Sequence, residues 1–347
     1  MSKKEEKSCL LGTVGGQAVL EGVMMKSKER YSVAVRKENG EIAVTNKKFV
    51  PLKEKYKILG IPLLRGIINF VEMMALSYKT LAISAEAYGE EIEETKFEIW
   101  LREKFGKGIM DVVTAIGMVL GMVLAVGMFF LIPVYLTKGL TALIGRDLGW
   151  FKTLFEGLVK IGIFVLYIYL VSFMKDIRRT FEYHGAEHKS IFCYESGEEL
   201  TVENVKKYKR FHPRCGTSFI FVMLILSVIV SSFIPWNIPG VLRAAIKILL
   251  MPLIVGVGYE FIMYAGKHDN VIVKILSAPG LWMQNLTTRE PDGEQIEVAI
   301  KALKCSLPSK FPDEEGSVPL GEEDTDNKKE ETAKETAEEN NENDTEE

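Results

Sequence analysis

The run Val112–Leu136, VVTAIGMVLGMVLAVGMFFLIPVYL, contains no charged side chain. An α-helix of about 20 apolar residues crosses the hydrocarbon core of a bilayer, so this run predicts a transmembrane helix. Three further runs with few charges follow at 154–174, 216–235 and 241–265. Four such runs in a chain of 347 residues predict a polytopic membrane helix bundle rather than two soluble domains.

The loops between these runs differ in basic residues, and the difference predicts their orientation. The 175–215 loop carries nine Lys and Arg residues, whereas loops 137–153 and 236–240 together carry three. Short cytoplasmic loops are the ones enriched in Lys and Arg. We therefore expect a protein of the bacterial cytoplasmic membrane with the 175–215 loop and both termini in the cytoplasm. Four cysteines without paired spacing also favour a reducing compartment.

A small β-rich unit is expected before the first apolar run. Alternating apolar and polar residues at 32–36 and 41–44 flank Asn39-Gly40, a dipeptide typical of tight hairpin turns. The preceding glycine-rich stretch, residues 12–22, lacks the Lys-Ser/Thr ending of a phosphate-binding loop. It is interpreted as a structural turn.

The stretch 58–88 has the pattern of an amphipathic helix. Arg65, Glu72 and Lys79 recur every seven residues and so share one side of a helix that is otherwise apolar. Three charges disfavour a full span, which predicts a helix in the membrane interface. Residues 89–108 are highly charged and are expected to form a linker.

The fold class predicted from these patterns is mainly α. Residues 312–347 carry 16 acidic and three basic side chains, so the chain should end in disorder. In chain order the predicted segments are a cytoplasmic glycine-rich β-hairpin unit (1–57), an interfacial helix with a charged linker (58–108), a transmembrane hairpin (109–174), a cytoplasmic loop (175–215), a second transmembrane hairpin (216–266), a cytoplasmic helical segment (267–307) and a disordered acidic tail (308–347).

The cytoplasmic loop contains the motif H-x-x-E-H at residues 184–188. On a helix, His184 and His188 lie one turn apart on one face, where two imidazoles can share a cation. Glu187 beside them could act as the general base, the one catalytic role that the sequence suggests. The same spacing occurs in inverted zinc proteases.

A second island, His212-Pro-Arg-Cys215, directly precedes the third apolar run. The hairpin topology returns it to the membrane face that carries the first motif, so His212 and Cys215 are further metal candidates. All four residues together would form a closed, structural site, whereas three would leave a position for water. The expected cofactor is a divalent metal, with zinc favoured by the nitrogen and sulfur ligands and iron or manganese as alternatives.

Glu260 is a further candidate ligand. It lies inside the fourth apolar run, where an ionisable group needs a partner, and by analogy with inverted zinc proteases it could be the third metal ligand. The alternative is an ion pair with Lys267 or Arg65.

Six motifs together resemble the YqhQ-like bacterial membrane family, which is described as a domain of unknown function and labelled a predicted metal-dependent enzyme. The resemblance covers about residues 10–305 and supports the membrane fold more strongly than any chemistry. The motifs are GGQAVLEGVMM (15–25), LLRGIINFVE (63–72), YHGAEHKSIFCYE (183–195), HPRCGTSF (212–219), GYEFI (258–262) and QNLTTREPD with EVAIKAL (284–303).

Two functions are consistent with the sequence. The first is a cytoplasm-facing membrane metal hydrolase. The second is a non-catalytic membrane factor, with a structural metal or none, that acts on lipids or other membrane proteins through its basic surface. The small residues Gly117 and Gly121 could also support self-association or packing against another membrane protein. No nucleic-acid partner is expected.

Overall fold

The computed structural model describes residue 10 and residues 12–88, 109–265 and 270–314. The described chain is mainly helical, with one four-stranded antiparallel sheet near the N-terminus. The predicted linker at 89–108 lies outside the described residues. The strands pair in the order β1-β2-β3-β4, and they are β1 (Gly15–Val19), β2 (Gly22–Lys26), β3 (Arg30–Arg36) and β4 (Ile42–Lys48).

Twelve α-helices lie in the described part of the chain. A 3₁₀ turn (Lys57–Gly60) precedes the second helix, and a π-helical turn (Gly127–Leu131) joins the third to the fourth. The helices are α1 (Leu52–Lys55), α2 (Leu64–Tyr88), α3 (Ile109–Val126), α4 (Ile132–Ile144), α5 (Phe151–Val171), α6 (Lys175–Glu195), α7 (Val202–Lys206), α8 (Gly216–Ser231), α9 (Gly240–Leu249), α10 (Met251–Ala265), α11 (Val271–Thr287) and α12 (Gly293–Cys305).

The predicted hairpin is present as β3 and β4, and Gly40 takes the positive φ of 85° that its turn requires. The glycine-rich stretch before it is not a turn throughout, because residues 15–19 form strand β1. A Cβ at Gly16 would lie 2.7 Å from the Met24 carbonyl oxygen and 3.0 Å from Cγ of Glu187. The glycine therefore allows β1 to approach the H-x-x-E-H helix closely.

The sheet has a core on each face. Successive side chains of a strand point to opposite faces, and β2 shows this directly. Met25 packs with Tyr183 of α6 and with Ile296 of α12, whereas Met24 packs with Leu76 of α2 on the other face. The sheet thus lies between the motif helix and the predicted interfacial helix.

Helix α2 also connects the sheet to the apolar helices. Gly66 lies against Tyr259 of α10, where an added Cβ would come within 2.7 Å of the tyrosine Cβ. The opposite side of α2 keeps large apolar residues in the open, with Tyr78 74% and Val71 58% exposed. Helix α2 therefore covers most of the predicted stretch 58–88. One side of it packs against the sheet and α10, and the opposite side exposes large apolar side chains.

Two helical stretches are long and apolar enough to cross a membrane, namely Ile116–Ile144 and Phe151–Val171. Helices α9 and α10 meet this standard only as a pair bent by 45° at a short break, and α8 is apolar but has 16 residues. Among the described residues the number of candidate spans is thus two, or three with the bent pair. Three residues of the fourth apolar run, Pro252, Gly256 and Gly258, favour a bend there. The observed break is at Leu250, next to Pro252, whereas α10 continues through both glycines.

The C-terminal helix α12 begins with a capping box between Asp292 and Gln295, which satisfies its first free N–H groups. The predicted acidic tail begins too early at residue 308. Phe311 packs against the core, and Glu314 bridges Lys301 at 2.7 Å and Lys304 at 3.0 Å. The rest of the predicted tail lies outside the described residues.

Candidate metal centre

Helix α6 and the N-terminus of α8 bring three candidate ligands together. His184 and His188 follow one another by one helical turn, with ring centroids 4.4 Å apart. Cys215 is the N-cap residue of α8, and its Sγ lies 3.2 Å from Nε2 of His184. One ligand atom from each of the three residues lies within 4.8 Å of the others, a separation that one small cation can bridge.

Backbone carbonyls fix the orientation of both imidazoles. Nδ1 of His184 lies 2.8 Å from the Thr287 carbonyl oxygen, and Nδ1 of His188 lies 2.5 Å from that of Arg210. A carbonyl only accepts hydrogen bonds, so both Nδ1 atoms donate. This leaves the two Nε2 atoms for a metal, and such carbonyl partners are the usual outer support of metal-binding histidines.

The charges of His184 and Cys215 stabilise each other. Burial opposes the charged form of each group, but attraction to the thiolate raises the pKa of His184 to about 9. Burial likewise opposes ionisation of Cys215, but His184 and His188 hold its pKa well below the usual value of 9.0. A thiolate is the form of cysteine that binds metals, so this environment prepares Cys215 for that role.

Glu187 lies beside this group with one carboxylate oxygen unsatisfied. Its side chain is buried, and Oε2 has no hydrogen-bond partner among the described residues. Burial raises the pKa of Glu187, and His184 and His188 offset part of that rise. A buried carboxylate oxygen without a protein partner, next to three nitrogen and sulfur donors, makes Glu187 a candidate to contact a group held by those donors.

His212 is near the three ligands but is not part of the set. Its ring centroid is 5.4 Å from that of His188. Its Nδ1 accepts the backbone N–H of Arg214 at 3.3 Å, and its Nε2 lies 3.9 Å from Oε2 of Glu195. Nε2 of His212 is buried and has no hydrogen-bond partner among the described residues, but the ligand atoms that one cation can bridge are those of His184, His188 and Cys215.

The Glu195 carboxylate anchors the second island to the end of α6. Burial raises its pKa, but the nearby His212 ring and the hydrogen bonds from the Gly12 N–H and Arg214 outweigh burial, so that the pKa is lowered overall. The Gly12 N–H donates at 2.7 Å, and Arg214 pairs with the same oxygen. The Glu195 carboxylate thus joins Gly12, which lies just before the sheet, to Arg214, which lies just before α8.

Helix α11 holds the His212 backbone through one glutamine. Gln284 accepts the His212 N–H at 2.7 Å and donates to the His212 carbonyl at 2.8 Å and to Ser218 Oγ at 3.0 Å. The helices meet closely because Gly280 faces Ser218, where a Cβ would be 2.8 Å from the serine Cα. Sequence reasoning did not assign a role to Gln284.

Gly185 allows the backbone of the segment after α11 to pack closely against α6, the helix that carries the H-x-x-E-H motif. A Cβ at this position would lie 2.0 Å from the Arg289 carbonyl oxygen. The Arg289 N–H donates to the Phe181 carbonyl at 2.8 Å, and Thr287 just before it supports His184. No local pattern identifies such carbonyl contacts. The one signal in the sequence is that this segment and the H-x-x-E-H motif both belong to the six motifs that resemble a single family.

Glu260 is not brought to the cluster. It pairs with Arg65 of α2, with Nε to Oε1 at 2.7 Å and Nη2 to Oε2 at 2.5 Å. This pair is one of the two alternatives to a metal ligand that the sequence left open. Lys267, the other partner considered, lies outside the described residues.

The helices and the cluster together define a mainly helical protein with two or three helices apolar enough to span a membrane and a candidate His/His/Cys metal centre. Residues 61–309 match the family described as "Protein of unknown function (DUF1385)", and the chain belongs to this family. The chain is 38% identical over 294 residues to "Uncharacterized protein YqhQ" of Bacillus subtilis (strain 168), covering 83% of this chain and 90% of that protein. The resemblance noted from the motifs is thereby confirmed. No solved structure matches the chain.

Proposed function

We propose that this chain is a multi-pass membrane protein that binds one divalent metal, zinc, through His184, His188 and Cys215. In this proposal Glu187 serves as the general base of a hydrolysis at the cytoplasmic membrane face. The observation that carries the proposal is the buried, unpartnered Oε2 of Glu187 beside three converging nitrogen and sulfur donors.

The donor set fits zinc by type and by number. Two imidazoles and a thiolate are common zinc ligands, and three protein ligands leave the fourth tetrahedral position open. When bound, the metal would supply Lewis acidity and make a water more acidic. The carbonyls of Thr287 and Arg210 hold the imidazoles so that their Nε2 atoms are available.

Glu187 is suited to moving a proton. Burial favours the neutral form of its carboxyl group, and the nearby imidazoles favour the charged form. A carboxylate balanced in this way can take a proton and then give it to a leaving group. Gly16 leaves room for the Glu187 side chain, because a Cβ at this glycine would lie 3.0 Å from Cγ of Glu187.

Four passes with the motif face in the cytoplasm remain part of the proposal. Exposed apolar side chains on α3 favour contact with lipid, since Met122 is 67% and Leu124 71% exposed. Single cysteines introduced in a background without native cysteines test the orientation. A cysteine at Arg146 should react with an impermeant maleimide added outside intact cells, whereas one at Lys207 should react only after lysis. The reverse result would contradict the proposed orientation.

A non-catalytic role is the second candidate, and one observation favours it. Glu187, His188 and Cys215 are only 5%, 2% and 7% exposed, so a large substrate has little access to them. In that case a metal would serve to hold α6 and α8 together, and the basic cytoplasmic surface would act on lipids or other membrane proteins.

Cobalt substitution separates the two roles without a known substrate. The purified full-length protein should show a thiolate-to-cobalt charge-transfer band that Cys215→Ser abolishes. In a catalytic site the visible bands should change with pH as a bound water ionises, and Glu187→Gln should keep the metal while shifting that pH midpoint. Bands that do not respond to pH, in wild type and Glu187→Gln alike, would favour the structural role.

A further inference from the structure

Helices α5 and α9 bury four ionisable residues among apolar neighbours, well away in sequence from the metal centre. Glu156 is 2%, Lys160 5%, Arg243 0% and Lys247 4% exposed. Three cationic side chains and one carboxylate leave this buried group with a surplus of positive charge. The pattern could have been seen in the sequence, since both pairs are spaced by four residues within apolar runs.

The partners of these side chains show where the surplus lies. Lys247 forms an ion pair with Glu156, and Nη2 of Arg243 lies 3.4 Å from the same carboxylate. Arg243 also donates to the carbonyls of Pro235 at 2.9 Å and Ser231 at 3.1 Å. The cationic side chains therefore compete for one carboxylate.

Lys160 has the weakest compensation of the group. Its ammonium lies 3.4 Å from Ser227 Oγ and 5.2 Å from the Phe130 ring centroid. Among the described residues no carboxylate lies within ion-pair distance of it. Burying a charge without a counter-charge is costly, and such residues in membrane helices commonly mark a ligand or ion site.

A pocket of about 500 Å³ adjoins this group through Trp236. The guanidinium carbon of Arg243 is 4.0 Å from the Trp236 ring centroid, and Trp236 also lines the pocket. Three further basic residues line it, Lys138, Arg146 and Lys152. The one carboxylate of the lining, Asp147, pairs with Lys152 at 2.7 Å, so the pocket is itself net positive.

We propose that this pocket binds a phosphate group, with Arg146 and Lys152 as its direct ligands. The buried positive charge behind Trp236 strengthens the attraction. Lys and Arg are the side chains that bind phosphate oxygens with charge-assisted hydrogen bonds. Low-dielectric surroundings increase the effect of the buried charges on an anion in the pocket. The phosphate is that of an anionic phospholipid headgroup or free inorganic phosphate.

The full-length protein in phosphatidylcholine nanodiscs allows both sources to be tested. In one series inorganic phosphate is added at constant ionic strength, and in the other the phosphatidylglycerol content of the discs is increased. The thermal unfolding midpoint is measured in each series, because a ligand that binds only the folded state raises it saturably. Saturation with inorganic phosphate would identify the free anion as a ligand, and saturation with phosphatidylglycerol would identify the headgroup.

Matched variants test the assignment of the pocket. The double variant Arg146→Gln/Lys152→Gln should bind roughly tenfold more weakly or worse, the loss typical of removing charge-assisted hydrogen bonds. The control Lys175→Gln/Arg178→Gln removes the same charge from an exposed stretch of α6 and should keep wild-type affinity. Saturable binding in neither series, or equal affinity in the two double variants, would overturn the proposal.

The buried charges have a test of their own. Lys160 does not line the pocket, and it lies about 12 Å along α5 from Lys152, given a rise of 1.5 Å per residue. Lys160→Met should therefore weaken phosphate binding several-fold through loss of long-range attraction alone. Wild-type phosphate affinity in a folded Lys160→Met protein would overturn the contribution assigned to the buried surplus.

Discussion

Gly185→Ala is the substitution that most directly tests how the segment after α11 supports the metal centre. The new Cβ would lie 2.0 Å from the Arg289 carbonyl oxygen and 3.3 Å from Cδ of Pro291. Relief requires the two backbones to separate by more than an ångström. That movement breaks the Arg289–Phe181 hydrogen bond and pulls Thr287 from His184.

The expected loss of stability combines two opposing effects. Overpacking costs about 1–3 kcal/mol, and a clash with backbone rather than with a flexible side chain places this case near the upper end. Replacing a mid-helix glycine by alanine returns about 1 kcal/mol of helix propensity. We therefore expect Gly185→Ala to destabilise the protein by about 2 kcal/mol, and metal affinity to fall about 10- to 100-fold through the loss of His184 support.

Gly162→Ala is the matched control, because a Cβ at Gly162 of α5 meets nothing within 4 Å. Thermal unfolding in detergent and competition with a chelator measure the stability and the metal affinity of both variants. If Gly185→Ala matched Gly162→Ala in stability and metal affinity, the close approach of Arg289 to α6 would contribute neither to the free energy of unfolding nor to metal binding.

Three further predictions concern other parts of the molecule. The lowered pKa of Glu195, paired with Arg214, means that this carboxylate stabilises the fold fully above its ordinary value of 4.5 and loses that effect as the pH falls below it. Urea unfolding at pH 7 and pH 4 should therefore show a smaller acid loss for Glu195→Gln than for wild type, and equal losses would contradict this. Glu156→Gln should cost about 3–5 kcal/mol because it leaves buried cations without a carboxylate. A second change, Lys247→Met, should recover part of that loss in thermal unfolding, and no recovery would count against the ion pair. Deletion of residues 315–347, which are rich in acidic residues and poor in apolar ones, should leave the unfolding temperature unchanged; a large drop would show that the segment packs on the fold.

The sequence predicted the parts of this structure that depend on local periodicity. The four-residue spacing of His184 and His188 places them on one helix face, and Asn39-Gly40 marks the β3–β4 turn. Cys215 also lies at this place, because the segment between the second and third apolar runs returns it to α6 at the start of α8. These features are set by residues close in sequence or by a single hairpin.

The parts that were missed depend on contacts between distant segments. Gly185 meets a carbonyl more than 100 positions later, and Glu260 finds Arg65 on a helix almost 200 positions earlier. His212 shares its sequence island with Cys215, but its ring lies next to Glu195, and only the packing of α11 through Gln284 explains that placement. Hydropathy alone also does not show that α8 is short or that α9 and α10 are bent.

Metal analysis of the purified full-length protein tests the central claim most directly. Inductively coupled plasma mass spectrometry should find close to one zinc per chain in wild type and in Glu187→Gln, and little in His188→Ala or Cys215→Ser. A matched substitution at a cysteine outside the cluster, Cys193→Ser, should keep the metal. Absence of any transition metal from folded wild-type protein that has been purified without chelators and offered zinc would contradict the account.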